Sequence, residues 1–196
     1  MKTNLLLLTL LLSQICFSQK TLTVSNATAQ FEASVPIFEP VAAKNEQVAV
    51  ALNTKRGYIS FSIPMTKFRF ASSLMEQHFN DHYLETDRYP NANFKGIIEN
   101  FDLNAITDYP TNYLIKGKLK IHGQSKNITA TIRLQRTMIG FVLTSNFSVL
   151  TDDYRVEIPF LIRNKISKTV NISIEVPFQT EATNLGAITV QTKPTN

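Results

Sequence analysis

Cysteine is almost absent from this 196-residue chain, which has only Cys16. A single cysteine excludes an intramolecular disulfide, and because Cys16 lies in a segment that we expect to be removed, the mature chain would also lack a thiolate nucleophile. Glycine is scarce as well, with six residues, and the sequence has neither a glycine-rich phosphate loop nor a G-x-S-x-G nucleophile motif. We therefore expect no enzyme activity and assign no catalytic residue and no cofactor.

Long hydrophobic runs are also missing beyond the N-terminus, where no segment approaches the roughly 18 apolar residues of a membrane helix. At the N-terminus itself, Lys2 precedes a short apolar run over residues 5–12, which is typical of a secretory signal peptide. Ser18 and Cys16 suit positions −1 and −3 of a cleavage site before Gln19. A lipoprotein anchor on Cys16 is disfavoured because Ile15 is bulky where a small residue is expected. The sequence predicts a signal peptide at residues 1–18 and a periplasmic or secreted protein.

Excess charge is small, with 20 basic and 15 acidic residues giving a formal charge of +5, or +4 once Lys2 is removed. This does not indicate a nucleic-acid partner. Lys116, Lys118 and Lys120 lie on one face of a predicted strand, but that face has no aromatic residues on which bases could stack. We interpret the row as a solvated face, with transient contact to an anionic membrane surface as the alternative.

Alternation of apolar and polar residues is what the sequence has in abundance. Apolar side chains recur at every second position over residues 58–63, 115–122, 128–134, 141–149 and 170–178, and more weakly over 20–25, 28–36, 47–52, 92–101 and 154–160. A period of two predicts strands with one buried and one solvated face, which are usually antiparallel. About eight to ten short strands separated by turn signals predict a sandwich or an antiparallel barrel. We expect one such domain over residues 19–180 and a polar C-terminal tail over 181–196.

One segment departs from this alternation. Ser73 and Glu76 have the spacing of a capping box, with serine at the N-cap and glutamate three residues later. The residues that then fall on one helical face are Leu74, Met75, His78, Phe79 and His82. The spacing predicts a short helix over 73–82.

Two of the three histidines, His78 and His82, are four residues apart on this predicted helix. That spacing is half of the H-E-x-x-H zinc motif, but Phe79 stands where the motif needs its general-base glutamate. A third ligand would have to come from Asp81, Glu85 or Asp87, and nothing in the sequence selects one. We interpret both histidines as structural residues that cover an apolar core and bond to loop backbone, and we assign no metal ligand. A metal-dependent enzyme using His78 and His82 is the alternative.

The aromatic content is high, with thirteen phenylalanines and six tyrosines but no tryptophan. Most of the phenylalanines lie in or beside predicted strands or the helix. A barrel of about eight strands is just wide enough to be filled by side chains or to hold one small ligand. The sequence leaves both cases open: a hollow binding protein, or a non-catalytic stress or interaction module with a filled barrel.

Four segments of the chain resemble the YceI-like family of polyisoprenoid-binding, lipocalin-like domains. They read "LMEQHFNDHYLETDRYPNANFKG", "KGKLKIHGQSKNITATIRL", "NFSVLTDDYRVEIPF" and "KTVNISIEVPF". The resemblance covers roughly residues 20–178, and the start of the chain, "TLTVSNATAQFEAS", departs from the family's usual first hairpin. It implies an all-β, extended antiparallel barrel of about eight strands with one short helix.

The resemblance also implies a lipid-binding or carrier protein that holds an isoprenoid or another long-chain amphiphile in an apolar barrel cavity. The segment from Leu74 to Gly96 would form part of the rim. The oligomeric state stays open between a monomer and a homodimer. We predict that the ligand-binding residues, on the cavity lining or rim, are Ile59, Phe61, Ile63, Phe68, Phe70, Leu74, Met75, His78, Phe79, Phe94, Phe141, Leu143, Phe147, Ile158 and Phe160.

Overall fold

Nine strands form the framework of the part of the chain that the computed structural model describes, residues 21–180. They are β1 (Thr21–Ser34), β2 (Ala42–Asn53), β3 (Tyr58–Pro64), β4 (Arg69–Phe70), β5 (Asn91–Ile98), β6 (Thr111–Ile121), β7 (Gln124–Thr137), β8 (Gly140–Leu150) and β9 (Ile166–Gln179). A helix, α1 (Ser73–His78), continues into a π-helical turn at Phe79–Tyr83, and 3₁₀ turns occur at Met65–Lys67, Leu103–Ala105 and Thr151–Tyr154. The predicted signal peptide and polar tail lie outside the described residues.

The strands close into an antiparallel barrel. Neighbours around the ring are β1, β9, β8, β7, β6, β5, β3 and β2, and β1 pairs with β2 to complete the circle. All nine pairings among the described strands are antiparallel. The two-residue β4 pairs with β2 on the edge that β3 also uses, so it adds no position to the ring. The predicted antiparallel barrel of about eight strands with one short helix is confirmed.

Alternation decides which side chains face the interior. Along β7, Ala130, Ile132 and Leu134 are buried, whereas the intervening Thr131 and Arg133 are exposed. Successive side chains of a strand point to opposite faces, so a closed barrel takes every second residue into its core.

A β-bulge joins two segments of β1 that the sequence suggested were separate strands. Leu22 and Val24 are buried at even positions, but after the exposed Ser25 and Asn26 the buried residues fall at odd positions, beginning with Ala27. The pairing of β1 with β2 shifts register at the same place. Because one inserted residue restores the inward face, a single strand runs from Thr21 to Ser34 where the sequence predicted two.

Side chains fill the half of the barrel that lies away from α1. Phe141 stacks on Phe178 with a centroid distance of 4.9 Å, and Phe61 meets Phe94 edge-on at 6.0 Å. The residues that are almost completely buried include Leu52, Ile59, Ile98, Ile132, Leu134, Leu143, Val48 and Val176. Their packing makes this half of the interior solid.

A pair of glycines makes room for one of these rings. Gly96 on β5 and Gly117 on β6 are direct partners, and both lie on the inward side of their strands. A Cβ atom at either position would lie 2.6 Å from Cζ of Phe94. The Phe94 ring therefore lies across the two glycines, in space that any larger residue would occupy.

The N-cap of α1 lies one residue earlier than the capping box predicted, although the helix starts at Ser73, as the predicted range did. Ser72, not Ser73, is the N-cap, and its hydroxyl accepts a hydrogen bond from the Met75 N–H at 3.4 Å. Glu76 does not reach back to the cap. It accepts from the Phe70 N–H at 3.3 Å and pairs with Arg69 at 2.7 Å.

The strand predicted over 154–160 is wrong. β8 ends at Leu150, and the 3₁₀ turn that follows is terminated by Arg155, whose φ of 53° is left-handed. Pro159 also lacks the N–H that a strand would donate. Residues 155–165 therefore form a loop that leads into β9. Among the helices of residues 21–180, none is long and apolar enough to cross a membrane.

Candidate functional site

An apolar cavity of about 500 Å³ occupies the half of the barrel next to α1. Its walls come largely from β1, β8 and β9, and its opening is bordered by α1 and by two loops, residues 35–41 and 155–165. We call this end of the barrel the mouth, and the opposite end, with the β7–β8 hairpin, the far end. The volume is within the range of roughly 300–1,000 Å³ that is usual for small-molecule sites.

The floor of the cavity is where the filled half of the barrel begins. Ile63, Ala92 and Leu119 line the cavity from β3, β5 and β6. Phe61 lies two residues before Ile63 on β3, and Phe94 lies two residues after Ala92 on β5. Both are farther from the mouth than these floor residues, on the same inward face, and are buried in the core. The barrel is therefore hollow near the mouth and solid at the far end.

Four phenylalanine rings form one side of the cavity beneath α1. Phe31 lies with its ring centroid 5.2 Å from that of Phe68 and 5.5 Å from that of Phe79. Phe70 lies 5.1 Å from Phe79. Ring contacts at such separations add to the burial of apolar area. Because Phe79 directly follows α1, this cluster holds the helix against the barrel.

Hydrogen bonds fix the remainder of the helical segment. The ion pair of Arg69 with Glu76 ties α1 to β4. Asn80 donates to the backbone carbonyl of Glu76 at 2.9 Å and accepts from the Thr86 hydroxyl at 3.2 Å. The helix and the loop after it thus form one connected unit, which presents Leu74, Met75 and His78 to the cavity.

His78 and His82 lie close together on this unit, with ring centroids 5.5 Å apart. Both are exposed, and His78 also lines the cavity. The predicted hydrogen bonds from these rings to loop backbone are not found within residues 21–180. The same residues bring together no group of three or more histidine, cysteine, aspartate and glutamate side chains that could hold a metal ion.

The third histidine, His122, connects three segments at the mouth. Its Nε2 lies 2.6 Å from Oε2 of Glu85 in the loop after α1, and its Nδ1 lies 3.1 Å from the carbonyl oxygen of Tyr154. Tyr89 contacts the ring edge-on at 4.7 Å. The Tyr154 carbonyl can only accept, so the hydrogen bond at Nδ1 is donated by the ring. Nothing in the sequence indicated this connecting role for His122.

The 3₁₀ turn at Thr151–Tyr154 presents two hydroxyl-bearing residues to the cavity. Side chains three residues apart in such a turn share a face, and both Thr151 and Tyr154 line the cavity. On the other face, Asp152 pairs with Lys168 at 2.8 Å and Asp153 with Lys126 at 2.9 Å. These ion pairs and the bond to His122 hold the turn in place.

The polar groups of this turn are unusual for their surroundings. The Thr151 hydroxyl oxygen is buried and has no hydrogen-bond partner in the described part of the chain. Burial, followed by the charge of Asp153, raises the pKa of Tyr154 to about 12, and burial also raises the pKa of Tyr83. Both phenols are therefore neutral near pH 7.

The cavity brings together nine of the fifteen residues that the sequence predicted for it. They are Ile63, Phe68, Phe70, Leu74, Met75, His78, Phe79, Phe147 and Ile158. Ile158 reaches the cavity from a loop, not from the predicted strand. Whether these residues bind a ligand stays a prediction.

The other six predicted residues lie elsewhere. Ile59, Phe61, Phe94, Phe141 and Leu143 face the interior, as the alternation indicated, but they lie in the filled half. Phe160 was predicted to face inward from a strand, and as a loop residue its side chain is 71% exposed. Alternation reports the face of a strand and not the height along the barrel axis.

Sequence reasoning missed several lining residues. Phe31 lies at the centre of the aromatic cluster, and Ile172 and Ile174 form much of the wall contributed by β9. Ile172 and Ile174 belong to a clear alternating segment, so the signal that could have found them was present. Phe31 shares the apolar face of the alternating segment 28–36 with Ala29 and Ala33, so a signal for it was present as well.

Comparison with known families and structures gives a consistent result. The model of the YceI-like domain matches residues 12–178. No curated protein matches the chain.

Solved structures share the fold at low sequence identity. A polyisoprenoid binding domain from Saccharophagus degradans, implicated in plant cell wall breakdown, superposes with a TM-score of 0.70 at 17% identity, covering 82% of this chain and 98% of that one. BcnA of Burkholderia cenocepacia gives a TM-score of 0.62 at 13% identity, with 76% and 94% covered. The YCEI protein of Campylobacter jejuni gives 0.54 at 16% identity, with 69% and 81% covered.

Proposed function

The chain belongs to the YceI-like domain family, and from that membership together with its open apolar cavity we propose that the protein binds and carries a long-chain lipid. An isoprenoid or a similar amphiphile is the class of ligand that suits the site. The proposed function is binding and release without a catalytic step. The solved polyisoprenoid binding domain with the same fold supports this class of ligand.

The observation that carries the proposal is the hollow half of the barrel. A cavity of about 500 Å³ lined mainly by aliphatic and aromatic side chains suits a hydrocarbon chain. Each buried CH₂ contributes roughly 0.8 kcal/mol, so a tail of about fifteen carbons offers on the order of 10 kcal/mol before losses. Ordering the tail and losing free motion removes several of those kcal/mol, and micromolar binding would remain.

The distribution of polar groups around the cavity supports one orientation of the ligand. The floor at Ile63, Ala92 and Leu119 has only hydrocarbon side chains. His78 and Lys165 line the cavity from elements that border the mouth. We place the tail end against the floor and the polar end of the ligand at the mouth.

Export from the cytoplasm is part of the proposal. It rests on Lys2 and the short apolar run over residues 5–12, which suit a cleaved signal peptide and a periplasmic or secreted protein. N-terminal sequencing of the protein recovered from its producing cell should begin at Gln19. A mature chain that begins at Met1 would contradict this part of the proposal.

Filling the cavity tests the binding function directly. Ala92 is buried on the floor, so Ala92→Phe should place a ring in the space that the tail needs. The matched control is Ala49→Phe on the outward face of β2, where residue 49 is exposed. Binding is measured by competition of farnesol with a fluorescent apolar dye. We expect the control to bind farnesol like the wild type and Ala92→Phe to lose binding; equal binding by all three proteins would contradict the proposal.

A further inference from the structure

We propose that the mouth of the barrel docks on the surface of an anionic lipid bilayer through the loops at residues 35–41 and 155–165. The proposal rests on the lipid-binding function and adds the partner from which the ligand is taken or to which it is given. The two loops border the same cavity, because Phe38 and Glu39 line it from one loop and Ile158 and Ile162 line it from the other.

Exposed apolar side chains are concentrated on these loops. Ile37 is 97% exposed, Leu161 is 88% exposed and Phe160 is 71% exposed. Leu74, on the helix that also borders the mouth, is exposed as well. A single exposed apolar residue is ordinary on a protein surface, but several around one opening mark a surface that something apolar covers.

Basic side chains accompany the apolar ones. The guanidinium of Arg163 lies over the Phe160 ring at 4.0 Å from its centroid, and the ammonium of Lys165 lies 6.0 Å from the centroid of Phe38. Neither cation forms an ion pair with a carboxylate in residues 21–180. Together the two loops carry three basic residues, Arg155, Arg163 and Lys165, and two acidic residues, Glu39 and Glu157. Their formal net charge is therefore +1.

Aromatic and aliphatic side chains beside unpaired cations suit the boundary between lipid headgroups and acyl chains. Apolar groups enter the acyl region, while arginine and lysine stay among anionic headgroups. Docking in this way would put the cavity opening against the bilayer, so the tail of the ligand would pass between the two with little exposure to water. This position is the reason for preferring a bilayer over a soluble protein partner.

The lysine row on β6 is a less suitable membrane surface. Lys116 is already paired with Glu99 at 2.6 Å. Lys118 and Lys120 project from the barrel wall next to Lys95 and Asn93 on the neighbouring strand. Among residues 21–180, no exposed phenylalanine accompanies the lysines in this row. The row also lies on the barrel wall and not at the opening.

Flotation with lipid vesicles tests the apolar part of the surface. Vesicles of phosphatidylcholine with an equal part of phosphatidylglycerol are mixed with the full mature chain. The variant Phe160→Ser with Leu161→Ser should lower the partition coefficient roughly tenfold or more, since two large apolar groups no longer leave water. The matched control is Met138→Ser with Ile139→Ser, because these residues are comparably exposed on the far-end hairpin.

Charge variants test the electrostatic part. Arg163→Gln with Lys165→Gln should weaken binding to the anionic vesicles by roughly fivefold for each charge removed, and by much less for phosphatidylcholine alone. The control here is Lys118→Gln with Lys120→Gln on the barrel wall, which should bind like the wild type. If Lys118→Gln with Lys120→Gln weakened vesicle binding more than Arg163→Gln with Lys165→Gln, the proposal would be overturned, because the barrel wall would then be the membrane-binding surface.

Three other outcomes would overturn docking by the mouth. They are wild-type protein that does not float with anionic vesicles, a far-end variant that is weakened as much as the mouth variant, and a mouth variant whose only change is the loss of a dimer in analytical ultracentrifugation. The last outcome would make a second copy of the chain the occupant.

Phe160 and Leu161 do not line the cavity, so farnesol competition in solution should be unchanged in their double variant. If the wild type did not bind farnesol in the competition assay, the lipid-binding function itself would be refuted, whatever the result of vesicle flotation.

Discussion

Thr151 buries a hydroxyl that has no hydrogen-bond partner among residues 21–180, and it does so beside an apolar cavity. Leaving such a group unsatisfied costs about 1–3 kcal/mol. Rotation about its Cα–Cβ bond exchanges the hydroxyl with the methyl group, so a bound ligand with an oxygen atom near the mouth could provide the missing partner. The neutral phenol of Tyr154 on the same face of the turn is a second donor.

Thr151→Val should affect the empty protein, in which the hydroxyl is unsatisfied, differently from the ligand-bound protein, in which the hydroxyl has a partner. Without ligand the variant should be as stable as the wild type or more stable by about 1 kcal/mol, because an unsatisfied polar group is removed at nearly constant volume. Its affinity for farnesol should fall roughly 2- to 10-fold, while that for farnesene, the hydrocarbon analogue, should not change. Urea unfolding and dye competition measure the two effects.

Ser145→Ala is the comparison for that experiment. Ser145 is also buried, but its hydroxyl donates to the Thr131 carbonyl at 2.9 Å, and it does not line the cavity. Its removal should cost about 0.5–1.5 kcal/mol and leave the preference for farnesol intact. If Thr151→Val destabilised the protein as much and kept the preference, the role given to Thr151 would be wrong.

Tyr154 should give the protein a measurable sensitivity to alkali. Its pKa is raised from 10.0 to about 12 in the folded chain, so the folded state holds the phenol proton more tightly than the unfolded state does. Its contribution to stability is complete below pH 10 and is lost as the pH rises through about 12. Unfolding free energies measured at steps across this window should fall less steeply for Tyr154→Phe than for the wild type.

Tyr109→Phe provides the control, because Tyr109 is 81% exposed. Its removal should leave the slope of the wild type unchanged. Tyr83, whose pKa burial also raises, acts in the same direction, so part of the slope should remain in Tyr154→Phe. Identical slopes for the wild type and Tyr154→Phe would show that the phenol is not held neutral in the folded state.

At the scale of the elements, the glycine pair on β5 and β6 fixes the boundary between the hollow and the filled half. Gly96→Ala places a Cβ 2.6 Å from the Phe94 ring and 2.5 Å from the Lys116 carbonyl oxygen, so a shift of ring or strand is required. We expect a loss of about 1–3 kcal/mol in unfolding free energy. The loss should be smaller in a Phe94→Leu background, because the smaller side chain leaves room. An equal loss in both backgrounds would show that the added Cβ clashes with the backbone alone and not with the Phe94 ring.

The elements also show what the sequence could reveal. Period-two alternation identified β6, β7, β8 and β9 because each has one buried and one solvated face along most of its length. The same pattern failed over 154–160, where apolar residues alternate but a left-handed Arg155 and Pro159 prevent a strand. Tyr154, Val156 and Ile158 line the cavity, whereas the charged residues between them, Arg155 and Glu157, are exposed, so the loop alternates as a strand would. Nothing local distinguishes this alternation from that of a strand.

At the scale of the whole molecule, the division into a hollow and a filled half arises from contacts between distant segments. Phe61 and Ile63 are two residues apart and face the same way, yet one is in the solid core and the other lines the cavity. The difference depends on Phe94 and the glycines opposite it, and on the helical segment that covers the mouth. The inward faces were therefore predictable from the sequence, whereas the position of the cavity along the barrel axis was not.

The same separation explains how a stable barrel can leave space for a ligand. The far end contributes a closely packed core, so the cavity near the mouth need not be filled for the fold to hold. Empty apolar volume costs stability, and a ligand that binds only the folded state would return part of it. Wild-type protein loaded with farnesol should therefore unfold at a higher temperature than the empty protein, and Ala92→Phe should show no such shift in a thermal scan.

Native mass spectrometry of the protein, purified without detergent and then offered farnesol, tests the central claim most directly. We predict that the wild type and Ala49→Phe carry one added molecule of farnesol, or a long-chain lipid retained from the producing cell that organic solvent releases. Ala92→Phe should appear at the mass of the chain alone. Wild-type protein that has no retained lipid and takes up no farnesol would contradict the account.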